Sequence, residues 1–182
     1  MTEFVEFIKI PNIVKIQEEL FEYSKCFEVG NDTTGINFNL RQVSYKLPNL
    51  EKWLQNFKIY PTVAKFYFMP PKCELKPHAD GTSKAPMLWG INIPVSNYKD
   101  SETYFYTCED NNIENIFRWK VKKGFRKPID ASKLKLANTY TIDKPCIINT
   151  NIMHSATNHS NDTRIMLLLR WPLDTKSYED II

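Results

Sequence analysis

The period of the apolar positions changes along the chain, and the change divides it. Between Phe4 and Ile10, the apolar residues Phe4, Val5, Phe7, Ile8 and Ile10 predict a strand that Pro11 ends. Asn12 then stands where a helix cap belongs. Ile13, Ile16, Leu20 and Phe21 recur at three- and four-residue steps, opposite Lys15, Gln17, Glu18, Glu19 and Glu22, which predicts an amphipathic helix. Gly30 and the polar segment from Asn31 to Gly35 close it. A second, shorter helix is predicted from about Asn49 to Phe57, burying Leu50, Trp53, Leu54 and Phe57.

After Pro61 the helical period disappears. Thr62 to Met69 is β-branched and aromatic, bounded by Pro61 and by Pro70-Pro71, and reads as a strand. Further strands are predicted at Met87 to Val95, Glu102 to Thr107, Ile116 to Val121, Leu136 to Ile142, Cys146 to Asn149 and Arg164 to Trp171. Turn residues separate them, as in Gly81-Thr82-Ser83, Asp110-Asn111-Asn112 and Asp143-Lys144-Pro145. Short strands at this spacing, with few helices between, predict a mainly β fold: a jelly roll with the N-terminal helices packed outside. The chain of 182 residues suits one domain, a helical and strand-bearing part at 1–60 followed by a jelly-roll core at 61–172.

Composition narrows the functional classes. A formal charge of +3, with scattered lysines, argues against a nucleic-acid partner. The densest basic group, Lys120, Lys122, Lys123, Arg126 and Lys127, reads as a solvated loop. The four cysteines, Cys26, Cys73, Cys108 and Cys146, form no Cys-x-x-Cys pair and predict free thiols in a reducing compartment. No basic-then-apolar leader opens the sequence, and no run reaches the ~20 apolar residues of a membrane helix. The expectation is a cytoplasmic protein that engages no membrane. Oligomeric state leaves no trace in the sequence.

Candidate chemistry gathers around three histidines. His78 and Asp80, two apart after a strand and a Pro-rich turn, can leave one side of an extended backbone, and Gly81 permits a tight turn. His154 follows the short apolar strand that begins at Cys146. Two imidazoles and one carboxylate, leaving other positions open, form the ligand set of non-haem iron(II) oxygenases. A His-x-Asp pair alone has little specificity; the order of the whole set has more. Arg164 opens the next predicted strand, ten residues past His154, so a hairpin would bring the two together, and a cation there suits a carboxylate. His159, in the polar turn from Asn158 to Asp162, reads as exposed and idle.

These segments together resemble a known family. Leu75-Lys76-Pro77-His78-Ala79-Asp80-Gly81, Ile91-Asn92-Ile93-Pro94-Val95, Asn149-Thr150-Asn151-Ile152-Met153-His154 and Arg164-Ile165-Met166-Leu167 look like the iron(II)/2-oxoglutarate-dependent dioxygenases. They are most similar to the aspartyl/asparaginyl β-hydroxylase-like branch. The resemblance covers roughly Thr62 to Pro172 and implies a double-stranded β-helix. It also implies iron(II) held by His78, Asp80 and His154, 2-oxoglutarate with its distal carboxylate on Arg164, and dioxygen as co-substrate. Tyr67, Trp89, Asn92 and Thr150 are further candidates to line the co-substrate pocket. Some members of the branch carry a second arginine on the strand after the first histidine, where this chain has Met87, Trp89 and Asn92.

The activity implied is hydroxylation or another oxidation of a C–H bond in a small-molecule or protein substrate, with release of succinate and CO2. Two other readings of the same residues stay open: a non-catalytic jelly-roll module that binds a ligand or partner, and a cupin-type metal oxygenase that takes no 2-oxoglutarate and uses Arg164 otherwise.

Overall fold

A computed structural model describes residues 4–82, 85–86, 89–108, 131–150 and 152–171. The predicted strand at Ile116 to Val121, the basic group from Lys120 to Lys127 and the loop following Asp110 lie outside the described residues.

Alternation along the strands builds two faces. In β3 (Val63–Met69), Ala64, Phe66 and Phe68 join the main apolar cluster, while Lys65, Tyr67 and Met69 point the other way. The remaining strands are β1 (Val5–Phe7), β2 (Thr34–Phe38), β4 (Glu74–His78), β5 (Gly81–Thr82), β6 (Ala85–Pro86), β7 (Gly90–Ser96), β8 (Ser101–Cys108), β9 (Leu134–Tyr140), β10 (Cys146–Ile148), β11 (His154–Asn158) and β12 (Arg164–Arg170). They form a larger sheet ordered β1-β10-β7-β12-β3-β2 and a smaller sheet ordered β4-β11-β8-β9; β5 and β6 pair with each other. From β3 onward the chain passes to and fro between the two sheets. β3, β7, β10 and β12 lie in the larger sheet, and β4, β8, β9 and β11 in the smaller. This is the jelly roll expected from the strand pattern, in the double-stranded β-helix form that the family resemblance implies.

The helices cover the outer face of the larger sheet. In α1 (Ile13–Ser24), Ile16 and Leu20 are buried, and in α3 (Pro48–Leu54) Leu50, Trp53 and Leu54 are. They pack with Phe66, Phe68, Ile91, Ile93, Leu167 and Leu169. The short α2 (Leu40–Val43) follows β2. The opposite, inner face carries a smaller cluster of Ile142, Cys146 and Met166, flanked by Tyr67, Tyr98 and Tyr140.

Several expectations need correction. Asn12 does not cap α1 through its side chain; it adopts a left-handed backbone (φ 56°), which Asn tolerates better than most residues. The second helix starts at Pro48, and the carboxylate of Glu19 on α1 accepts from the backbone N–H groups of Asn49, at 3.0 Å, and Leu50, at 3.3 Å. The cap therefore comes from another helix, which no local pattern records. The segment containing Thr34 and Gly35 is not wholly loop, because β3 supplies β2 with a partner along its length. His154 and Arg164 do not share a hairpin either. β11 pairs with β4 and β8, whereas β12 pairs with β3 and β7 in the other sheet. Buried Asn158 secures the crossing, donating from Nδ2 to the carbonyls of Met69, Pro70 and Asp162.

Candidate metal centre

β4 and β11 run antiparallel with His78 directly opposite His154. The pair stands at the last residue of β4 and the first of β11, so both rings sit at the same end of the smaller sheet, with centroids 4.5 Å apart. Asp80 lies two residues past β4. Its backbone N–H donates to the carbonyl of Thr150 at 2.9 Å, which fastens the turn after β4 to the loop before β11. One ligand atom from each of His78, Asp80 and His154 lies within 4.8 Å of the others.

Local hydrogen bonds prepare both imidazoles in the same way. His78 Nδ1 is 3.0 Å from the carbonyl of Lys76, and His154 Nδ1 is 2.8 Å from the carbonyl of Ile152. A carbonyl can only accept, so in each ring Nδ1 carries the proton and the Nε2 lone pair is available to a metal. Burial and the neighbouring His78 hold His154 down to about 4, against an Asp80 carboxylate that favours its charged form. The ring is thus neutral at physiological pH, as a ligand must be. Asp80 has the opposite tendency. Burial pushes its carboxyl up, but Arg170, His154 and His78 outweigh that and bring it below the ordinary value. Two imidazoles and one charged carboxylate gathered this closely suit iron(II) as a donor set.

The inner face of β12 carries a cation at each end. Alternation puts Arg164, Met166, Leu168 and Arg170 on one face, and six residues at ~3.3 Å place the two arginines ~20 Å apart along the strand. Arg164 is 4% exposed, and its Nε has no hydrogen-bond partner among the described residues. Its Nη1 lies 3.9 Å from the sulfur of Met69, a long contact to a weak acceptor. Burial lowers its pKa to about 10, against opposing pulls from Tyr67 and Cys146, so it stays charged. Tyr67 stands between the two ends. Burial raises its hydroxyl, Arg164 acts to lower it, and Cys73 and Asp80 add to the rise.

Other sequence candidates fall in different places. Asn92 is buried on the inner face, and its Oδ1 accepts from Arg170. Thr150 is fully buried and reaches Asp80 through its backbone. Trp89 belongs to the cluster under the helices, stacked on Trp171 at 5.4 Å, and not to the inner face. His159 is exposed but not idle: its Nε2 lies 3.1 Å from Glu102, which also accepts from the Tyr104 hydroxyl.

The residue missed in the sequence is Arg170, whose Nη2 donates to Asp80 Oδ2 at 3.1 Å. The period of two along Arg164-Ile165-Met166-Leu167-Leu168-Leu169-Arg170 was its available signal.

No protein-family model matches the chain, and no curated protein matches it in sequence. Solved structures do match. One is the non-haem α-ketoglutarate-dependent carbocyclase SnoK from nogalamycin biosynthesis, with a TM-score of 0.57 and 11% identity, over 90% of this chain and 77% of that one. Another is AviO1 from Streptomyces viridochromogenes Tue57, with a TM-score of 0.53 and 10% identity, over 91% and 86%. What they share with this chain is the fold. At such identities residue roles do not transfer, and the chemistry has to be argued from the side chains of this protein.

Proposed function

We propose that this protein is an iron(II)- and 2-oxoglutarate-dependent oxygenase that oxidises a C–H bond of a small-molecule or protein substrate. The observation that carries the reading is a pairing across one interior. A His-Asp-His triad at the end of the smaller sheet and a buried arginine with an unpartnered donor on the larger sheet both lie near enough to Tyr67 to act on its hydroxyl. A buried guanidinium without a carboxylate is costly, and an incoming dianion offsets that cost. The fold shared with an α-ketoglutarate-dependent enzyme fits the same reading. Within the superfamily, the likeness to the aspartyl/asparaginyl β-hydroxylase-like branch rests on motif order in the sequence.

In this reading His78 Nε2, His154 Nε2 and Asp80 hold the iron. An iron(II) ion held there, with 2-oxoglutarate, would supply the oxidising chemistry: one oxygen atom of dioxygen would go to succinate, with CO2 lost, and the other to the substrate. The chain's own share is placement. Nδ1–H bonds to Lys76 and Ile152 fix the imidazole orientations, and Arg164 takes the distal carboxylate with Tyr67 beside it. The apolar surroundings of Met166, Cys146 and Ile142 exclude water from that end.

Anaerobic titration of the iron(II) protein with 2-oxoglutarate tests the assignment. A weak visible charge-transfer band should grow in, and aerobic samples should form succinate. Arg164→Ala should weaken 2-oxoglutarate binding by about 10- to 100-fold, the worth of a charge-assisted hydrogen bond, while leaving metal binding in place. Iron-loaded protein that gives neither the band nor succinate refutes the proposal.

A further inference from the structure

We propose that Arg170 is a positioning residue that confines Asp80 to one metal-facing oxygen, and so keeps a coordination position open for the co-substrate. This rests on the metal centre proposed above and concerns how the centre is set.

The two carboxylate oxygens of Asp80 have different neighbours. Oδ1 faces His78 Nε2 at 3.7 Å, whereas Oδ2 accepts from Arg170 Nη2 at 3.1 Å. A metal binding on the imidazole side therefore meets Oδ1, and recruiting Oδ2 as well would have to compete with the guanidinium for that oxygen. The Asp80 main chain is fixed too, through its N–H to Thr150, so the carboxylate has little freedom to turn.

Arg170 is itself held from several directions. Nη1 donates to Asn92 Oδ1 at 3.1 Å and to the carbonyl of Leu169 at 3.0 Å, and the side chain is only 6% exposed. The path to Asp80 exists because residue 90 is glycine. A Cβ there would stand 2.3 Å from Arg170 Nη1 and 2.5 Å from its Cδ, so any side chain would evict the guanidinium. Gly90, Asn92 and Arg170 are neighbours on β7 and β12, with Gly90 directly opposite Arg170. The two interior arginines thus divide the work. Arg164 keeps donor capacity for an incoming anion, and Arg170 has its donors committed to the protein.

Coordination arithmetic gives the consequence. Three protein donors leave three positions of six, two for a chelating co-substrate and one for dioxygen. A carboxylate binding through both oxygens would take one of them. Charge fixes the sign of the test, because removing a cation beside a metal site cannot weaken the metal electrostatically.

The test uses cobalt(II) as the metal probe on the metal-free full chain, followed by visible absorption. Arg170→Gln should bind cobalt at least about threefold more tightly than wild type and show a changed absorption envelope as Oδ2 joins the metal. Arg170→Lys, which keeps a donor and the charge, should restore the wild-type envelope. Asn92→Ala leaves Arg170 and Asp80 intact and should move in the same direction by less, which keeps the test decisive if Arg170→Gln folds poorly. A purely structural role predicts weaker cobalt binding and a lower melting temperature with no new envelope. Unchanged or weaker binding with an unchanged envelope in the folded variants overturns the inference, while loss of cobalt in His78→Ala leaves the centre standing. Wild-type protein that takes up no cobalt overturns both.

Discussion

At the residue scale, local hydrogen bonds matter as much as residue identity. His78 and His154 point Nδ1 at the carbonyl two residues earlier, and that shared turn leaves both Nε2 atoms available to a ligand, with His78 Nε2 3.7 Å from Asp80 Oδ1. In the metal-free protein His154 titrates at about 4, well below its ordinary 6.5, chiefly because it is buried. The unfolded chain then takes up a proton before the folded one does as pH falls. Stability is unaffected by this group above about pH 6.5 and is lost between about 6.5 and 4. Melting temperatures of chelator-treated protein across that range should show the decline, and His154→Gln should flatten it. Asn158 offers a second prediction. Its three donor contacts satisfy buried carbonyls at the sheet crossing, so Asn158→Ala should cost about 2–3 kcal/mol in urea unfolding. The grouping of the candidate residues was readable in the sequence: His78, Asp80 and His154 lie together, as their order suggested. Trp89 was misplaced because alternation sets it with Ile91 and Ile93, under the helices, and only Asn92 faces inward.

Elements show where local pattern stops being enough. The two amphipathic helices were legible, since their apolar stripes need only one neighbouring sheet. Their ends were not, because the α3 start is closed by Glu19 from α1 and the α1 start by an unusual backbone at Asn12. Glu19→Ala removes the acceptor at the α3 N-terminus. It should destabilise the protein by about 1 kcal/mol in chemical denaturation, with far-UV circular dichroism nearly unchanged. Strand order was hidden for a different reason. β11 joins β4 and β8, and β10 joins β1 and β7, so few neighbours in the sheets are neighbours in the chain. The hairpin expected between His154 and Arg164 failed on that account, although both residues still face the interior.

For the whole molecule, the double-stranded arrangement explains why the proposed site draws on both sheets. The triad stands at the end of the smaller sheet, while Arg164 and Arg170 come from the larger one. A ligand that binds the folded centre but not the unfolded chain adds stability in proportion to ln(1 + concentration/Kd). Manganese(II) at about 100 times its Kd should therefore add about 2.7 kcal/mol, or roughly 5–10 °C in melting temperature for a chain of this size. His78→Ala should abolish the increment in differential scanning calorimetry.

Because the crossing at Asn158 separates β11 from β12, the residues proposed to hold the metal and the arginine proposed to hold the anion belong to different walls. A co-substrate held at both ends would act as a cross-brace between those walls, and empty protein would lack it. The two sheets should then breathe more freely without it. Amide exchange in β4, β11, β3 and β12 should slow together when metal and co-substrate are both present, and by much less with the metal alone.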